Sequence, residues 1–68
     1  MNKNKLYFEM RENNVTVGEL CEAINMSRSA FYRKINGTSE FTLGEAKEII
    51  DFLGIRDPMG IFFDKEVS

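Results

Sequence analysis

Apolar residues recur at helical spacing along most of the chain, and short polar segments separate one apolar run from the next. Leu6 and Met10 stand four positions apart, which predicts a first helix from about Asn4 to Asn13. A later helix is predicted by apolar residues at relative positions 0, 3, 4 and 7, namely Ala46, Ile49, Ile50 and Leu53. Because Pro58 is the one proline and lies near the end, the chain before it is free to be helical. The pattern predicts an all-α fold.

Two of the predicted helices begin with the same T-x-x-E sequence, the form of a capping box. In this motif the threonine side chain accepts a backbone N–H, and the glutamate side chain reaches back to the backbone N–H of the threonine. The segment 16–19 predicts the start of a second helix, which Asn25-Met26 would end after about two turns. The segment 42–45 predicts the start of the fourth helix, which Gly54 would end.

The remaining helices are predicted from their end signals. Ser27 can cap a third helix, and the pair Asn36-Gly37 accepts the left-handed conformation that ends a helix. The pair Asp57-Pro58 has the cap and first-turn proline of a short fifth helix. The sequence therefore predicts five helices, with the second and third separated by a turn of about three residues.

The composition narrows the range of functions. The chain has 68 residues, 43% of them hydrophobic and 29% charged, with no histidine, no tryptophan and one cysteine. These values are typical of one small globular domain over 1–68, which buries about 60% of its unfolded surface. With no histidine and only Cys21, a zinc cluster, a disulfide framework and a nucleophile–histidine pair are excluded. We expect a non-enzymatic protein with no metal and no cofactor, in which Cys21 packs where helices two and three approach.

The N-terminal segment 1–14 has neither the apolar region nor the cleavage site of a signal peptide, and no apolar run is long enough to cross a bilayer. We therefore expect a cytoplasmic protein without a membrane partner. A start at methionine and an end without a linker favour a complete protein over a fragment.

Charge is distributed unevenly in a chain whose net charge is −2. Residues 1–39 carry six basic and four acidic side chains, whereas residues 40–68 carry three basic and seven acidic ones. The segment 23–39 contains Arg28, Arg33 and Lys34 and no acid. One surface can therefore be positive within an acidic protein, and a polyanionic partner is compatible with the sequence.

Two short helices joined by a tight turn, over about 16–36, form a candidate helix-turn-helix, whose second helix enters the major groove of DNA. At about 100° per residue, one polar arc of the third helix contains Arg28, Ser29, Tyr32 and Arg33. Arginine matches guanine bidentately, and the other side chains can contact base edges, so these four are the predicted base contacts. The alternative is an ordinary solvated face for the arginines and, for Tyr32, a ring lying across its own helix.

The sequence resembles the Cro/C1-type helix-turn-helix family of phage and bacterial repressors. The resemblance rests on TVGELCEAINMSRSAFYRKING and on EFTLGEAKEIIDFLGI, and it extends over nearly the whole chain. It implies a five-helix, lambda-repressor-like domain and a sequence-specific, usually dimeric regulator whose third helix reads operator DNA. Val17 stands where many members have a phosphate-contacting glutamine, and Lys34 stands where an aliphatic residue is common.

The resemblance also implies phosphate contacts from the caps and from the loop after the third helix. Uncharged side chains commonly make such contacts. The candidates in this sequence are Ser27, Asn36, Thr38 and Ser39.

Two functions remain open. The first is a Cro-like repressor of phage or prophage type that binds double-stranded operator DNA. The second is an antirepressor or modulator of the same fold that binds another phage repressor protein, an alternative favoured by the acidic residues after residue 39.

The end of the chain provides a candidate contact surface of three consecutive apolar residues, Ile61, Phe62 and Phe63. A helix directs consecutive residues to faces about 100° apart, so we expect at least one of them to be exposed. The surface would serve a homodimer, formed in solution or only on DNA, or would receive another repressor. The alternative is that two of the rings cap the core.

Overall fold

The computed structural model describes residues 1–62, which form five α-helices in the order that the sequence predicts. The helices are α1 (Lys3–Glu12), α2 (Val17–Ala23), α3 (Arg28–Ile35), α4 (Leu43–Leu53) and α5 (Met59–Phe62). The all-α prediction is confirmed. Within residues 1–62, no helix has the length and apolar character needed to cross a membrane.

The helix starts follow from side-chain caps. Both capping boxes are present: the Thr16 hydroxyl accepts the N–H of Glu19, and the Thr42 hydroxyl accepts that of Glu45, each at 3.1 Å. Helix α1 starts one residue earlier than predicted because the Asn2 side chain accepts the backbone N–H of Lys5.

A residue with positive φ lies in each of the four turns that join the described helices, namely Asn14, Asn25, Gly37 and Gly54. Gly54 ends α4 with φ of 65°, as predicted, and Asn14 and Asn25 each have φ of 55°. Asparagine tolerates this left-handed conformation better than other side-chain-bearing residues, so it can replace glycine at these two turns.

The core lies between the helices and contains residues from all five of them. Phe31, Leu6, Leu20 and Ile49 are fully buried, and Met10, Cys21, Ile35 and Leu53 surround them. Ile50, which the apolar spacing assigns to the same stripe as Ile49, is only half-buried. Cys21 is a free, buried thiol whose Sγ lies 4.0 Å from the carbonyl oxygen of Ser27, and burial raises its pKa. A buried, protonated thiol fits the predicted packing role.

Helix α5 places part of the predicted contact surface, Ile61, in the core. Helix α5 folds back on α1, where the backbone N–H of Asn2 donates to the carbonyl of Ile61 at 2.7 Å. Ile61 is therefore a core residue, 3% exposed, and its role as a dimer or partner contact stays a prediction. Phe62 is half-buried, with its ring edge-on to Phe41. Phe63 lies outside the described residues.

Candidate nucleic-acid interface

The turn between α2 and α3 is short because of its backbone conformation. Residues 24–27 connect the two helices, and Asn25 within them has a positive φ of 55°. The N–H of Met26 donates to the carbonyl of Cys21 at 2.8 Å, and the Ser27 hydroxyl accepts the N–H of Ala30 at 3.1 Å. These bonds fix the point at which α3 begins relative to α2.

Helix α3 presents one apolar and one polar face. Phe31 and Ile35 are buried, and Ala30 is half-buried. The four predicted base contacts all lie on the exposed side: Arg28, Ser29, Tyr32 and Arg33. The structure thus brings together the polar arc that helical periodicity predicts, while the contacts these side chains make with DNA stay predictions.

Tyr32 projects from this face next to a tyrosine of α1. It is 44% exposed, and its ring lies edge-on to Phe31 with centroids 5.8 Å apart. Tyr7 is half-buried, and its pKa is raised by burial and by the neighbouring Tyr32. Tyr7 is therefore a candidate for the edge of the interface that sequence reasoning missed, because only the packing of α1 on the domain brings it there.

The loop after α3 is held against the end of that helix. Gly37 has φ of 88°, and the N–H groups of Thr38 and Ser39 both donate to the carbonyl of Arg33, at 2.9 and 3.2 Å. Asn36 and Thr38 are exposed, whereas Ser39 is half-buried. Among the predicted phosphate contacts of this loop, Asn36 and Thr38 therefore have the freer side chains.

The N-terminal residues lie close to the same loop. Asn2, Lys3 and Asn4 line an open cleft of about 720 Å³ together with Asn36 and Ser39. Lys3 is exposed and adds a positive charge on this side of the domain. Sequence reasoning counted this charge in the basic half of the chain but could not position it, because the residues that line the cleft are more than thirty positions apart in the sequence.

Lys34 is held within the domain. Its Nζ lies 2.6 Å from Oε1 of Glu45 and 6.0 Å from the centre of the Phe41 ring. The same Glu45 oxygen accepts the backbone N–H of Thr42 at 2.9 Å, so one carboxylate completes the α4 capping box and binds the end of α3. Lys34 therefore connects α3 to α4.

Stability should depend on pH through Glu45. Its pKa is lowered by the hydrogen bond from Lys34 and then by the backbone N–H of Thr42. A carboxyl whose folded-state pKa is depressed stabilises the fold above its unfolded pKa, and this stabilisation is lost as the pH falls through the folded pKa. We expect Glu45→Gln to lose about 0.2–1 kcal/mol near neutral pH and less near pH 3.

Urea unfolding of the parent and of Glu45→Gln, between neutral pH and about pH 3, measures the difference between their free energies of unfolding. Glu48→Gln, on the exposed surface of the same helix, is the control and should follow the parent. A parent–Glu45→Gln difference that stays constant down to about pH 3 would contradict the assignment.

A comparison with protein families agrees with this geometry. The model of the Cro/C1-type helix-turn-helix DNA-binding domain matches residues 5–59. The chain belongs to this family. The matched part of this Cro/C1-type domain contains α2, the turn, α3 and α4, so the DNA-binding character of the family applies to the helix-turn-helix described above. No curated protein and no solved structure matches the chain.

Proposed function

We propose that this Cro/C1-type domain is a sequence-specific transcriptional regulator of the phage or prophage repressor type, acting on operator DNA in the bacterial cytoplasm. The observation that carries the proposal is the exposed face of α3. Four side chains able to bind DNA lie on this face, and Phe31 and Ile35 on the other face are buried in the core. A helix anchored in this way can present its polar side to the major groove without losing its packing.

The chemistry of the four side chains suggests separate roles. Arg28, at the start of α3, can donate two hydrogen bonds to guanine O6 and N7. Ser29 can donate to or accept from several bases, and the Tyr32 ring can contact a thymine methyl. Arg33 can reach a base or a phosphate. Ser27, Asn36, Thr38 and Ser39 would contact phosphates and so position the helix without reading sequence.

The local charge supports a polyanionic partner although the net charge of the whole chain is −2. Arg28, Arg33 and Lys3 are exposed on the elements that form the candidate interface. The segment 23–39 contains no acid, and the first acid after it, the exposed Glu40, lines the same cleft as Lys3. Local potential governs the attraction of DNA more directly than net charge does.

A mobility-shift titration tests the proposal. Using the DNA sequence selected by the protein from a random pool, we expect affinity to fall roughly 1,000-fold between about 50 and 200 mM salt, if two chains together contact about six phosphates. Glu48→Gln, away from α3, is the control variant and should keep the parent's slope. Absence of binding at the lower salt concentration would reject the proposal.

We further propose that two copies bind one palindromic operator. A single recognition helix reads too few base pairs for specificity in a genome, and pairing across half-sites solves this. With Ile61 buried, the exposed side of α5 is centred on Met59, which is 65% exposed, with Phe62 half-buried beside it. Phe63 remains a sequence-based candidate for the same contact.

Sedimentation with a palindromic site tests the assembly. The parent should bind as two chains per duplex, and Met59→Ser should bind as one chain with weaker affinity. Phe52→Ser, at another exposed apolar residue, on α4, is the control and should keep two chains. One parent chain per duplex at saturation would contradict dimeric binding.

The second candidate function, binding to another repressor protein, has one observation in its favour. Phe52 is 48% exposed and shares a shallow surface with the acidic Glu19 and Glu22 of α2. An aromatic side chain flanked by acids suits a basic protein partner. If this function is the correct one, the parent fails to bind DNA at low salt, and Phe52→Ser abolishes a calorimetrically measured complex with a basic repressor domain.

A further inference from the structure

The Arg28 side chain does not simply extend from the start of α3. It lies against the first turn of α2, where a Cβ added to Gly18 would be 2.5 Å from Nη2 of Arg28 and 3.2 Å from its Cζ. A Cβ never approaches other heavy atoms this closely, so the guanidinium occupies space that exists only because residue 18 has no side chain. The contact joins the two helices of the helix-turn-helix through the side chain that is the leading candidate for base recognition.

The glycine is not required by the backbone. Gly18 is the second residue of α2, and the positive-φ glycines among the described residues are Gly37 and Gly54. Any residue can adopt the helical conformation at this position, and alanine is favoured over glycine within a helix. Glycine therefore suits residue 18 because the Arg28 guanidinium occupies the place of a Cβ, and not because the backbone conformation requires glycine.

The chain contains a matched position for comparison. The capping boxes T-V-G-E and T-L-G-E place Gly18 and Gly44 at the same step of α2 and α4. A Cβ on Gly44 would meet only the Thr42 hydroxyl oxygen, at an ordinary 3.9 Å. The two glycines are thus alike in helix position and differ in whether an arginine lies over them.

We propose that Gly18 is a specificity-determining residue, which acts through Arg28 by holding its guanidinium in the orientation used to read DNA. This inference rests on the proposed function, because it assigns a role to Gly18 in the same recognition event. A long side chain that is ordered before binding loses less conformational entropy when it meets its base, so the correct base is favoured more strongly. A methyl group at residue 18 displaces the guanidinium and removes this advantage.

The displacement leaves the fold intact. The atoms that a Cβ would meet belong to the far end of a flexible, exposed side chain, which can move away at little cost. We therefore expect Gly18→Ala and Gly44→Ala to unfold at or above the temperature of the parent, since both place alanine where glycine stood in a helix. Loss of binding in Gly18→Ala cannot then be attributed to unfolding.

The decisive experiment compares base preferences of four proteins on single-substituted variants of the selected operator: the parent, Gly18→Ala, Gly44→Ala and Arg28→Ala. At the base pair where Arg28→Ala lowers discrimination, we expect Gly18→Ala to lower it roughly 3- to 10-fold and to leave the other positions unchanged. Gly44→Ala should match the parent. In the Arg28→Ala background, adding Gly18→Ala should have no further effect at that base pair.

A second measurement needs no DNA. In heteronuclear NMR, the Nε–H group of Arg28 should be ordered in the parent and in Gly44→Ala, and mobile in Gly18→Ala. If the parent binds its operator but Gly18→Ala keeps the parent's base preference, the role of Gly18 is rejected and the proposed function stands. If the parent has no preferred DNA sequence, both are rejected. If Gly18→Ala still lowers base discrimination in the Arg28→Ala background, the inference is also rejected.

Discussion

Replacement of Ile49 by alanine should lower the free energy of unfolding by about 2–5 kcal/mol, the cost of a large-to-small change at a fully buried site. Ile49 is 0% exposed and lies on the buried face of α4 with Ala46 and Leu53. Small domains have a total stability of about 5–15 kcal/mol, so this single change removes a large part of it. In a domain of this size the melting temperature should fall by about 10 °C or more.

The adjacent Ile50 provides the control. It has the same side chain on the same helix but is only half-buried, so Ile50→Ala should lose no more than about half as much stability. Thermal and urea unfolding, followed by circular dichroism, measure both variants. Equal losses in the two variants, or a cooperative melt of Ile49→Ala within a few degrees of the parent, would show that the Ile49 site is not part of the core.

The largest expected effect on recognition is that of Arg28. Arg28→Lys keeps the positive charge but replaces the planar fork with a single ammonium group, which cannot make the bidentate contact to guanine. We expect discrimination at one operator base pair to fall by about 1–3 kcal/mol, while affinity for unrelated DNA changes little. Arg28→Ala should lose the same discrimination and should also bind all DNA sequences more weakly.

A phosphate-contact variant separates base readout from positioning. Thr38 is exposed in the loop after α3, and Thr38→Ala should weaken binding to all sequences by a similar factor. Fluorescence anisotropy with the selected operator, its single-base variants and unrelated DNA measures all three proteins. If Arg28→Lys weakens binding equally on every sequence, Arg28 contacts the backbone and the base contact belongs to another residue of the polar face.

Local sequence signals were sufficient for the helices. Each start is set by a side chain within three residues of the N–H it satisfies, as with Thr16 and Thr42, and Gly54 has the left-handed conformation that its position predicts. The two faces of α3 follow from helical periodicity alone, because Phe31 and Ile35 are buried and Arg28 and Tyr32 are exposed. These features depend on neighbouring residues, which a sequence displays directly.

The contacts between distant segments were decided by the tertiary structure. The burial of Ile61 on α1, the pairing of Lys34 with Glu45, and the proximity of Lys3 to the loop after α3 depend on how the helices pack. Apolar attraction is non-directional, so an apolar residue such as Ile61 suits the core as well as a free surface, and only the packing partner distinguishes the two. For the same reason the sequence by itself determined the helices and the polar face of α3, whereas the contact of Arg28 with Gly18 required the fold.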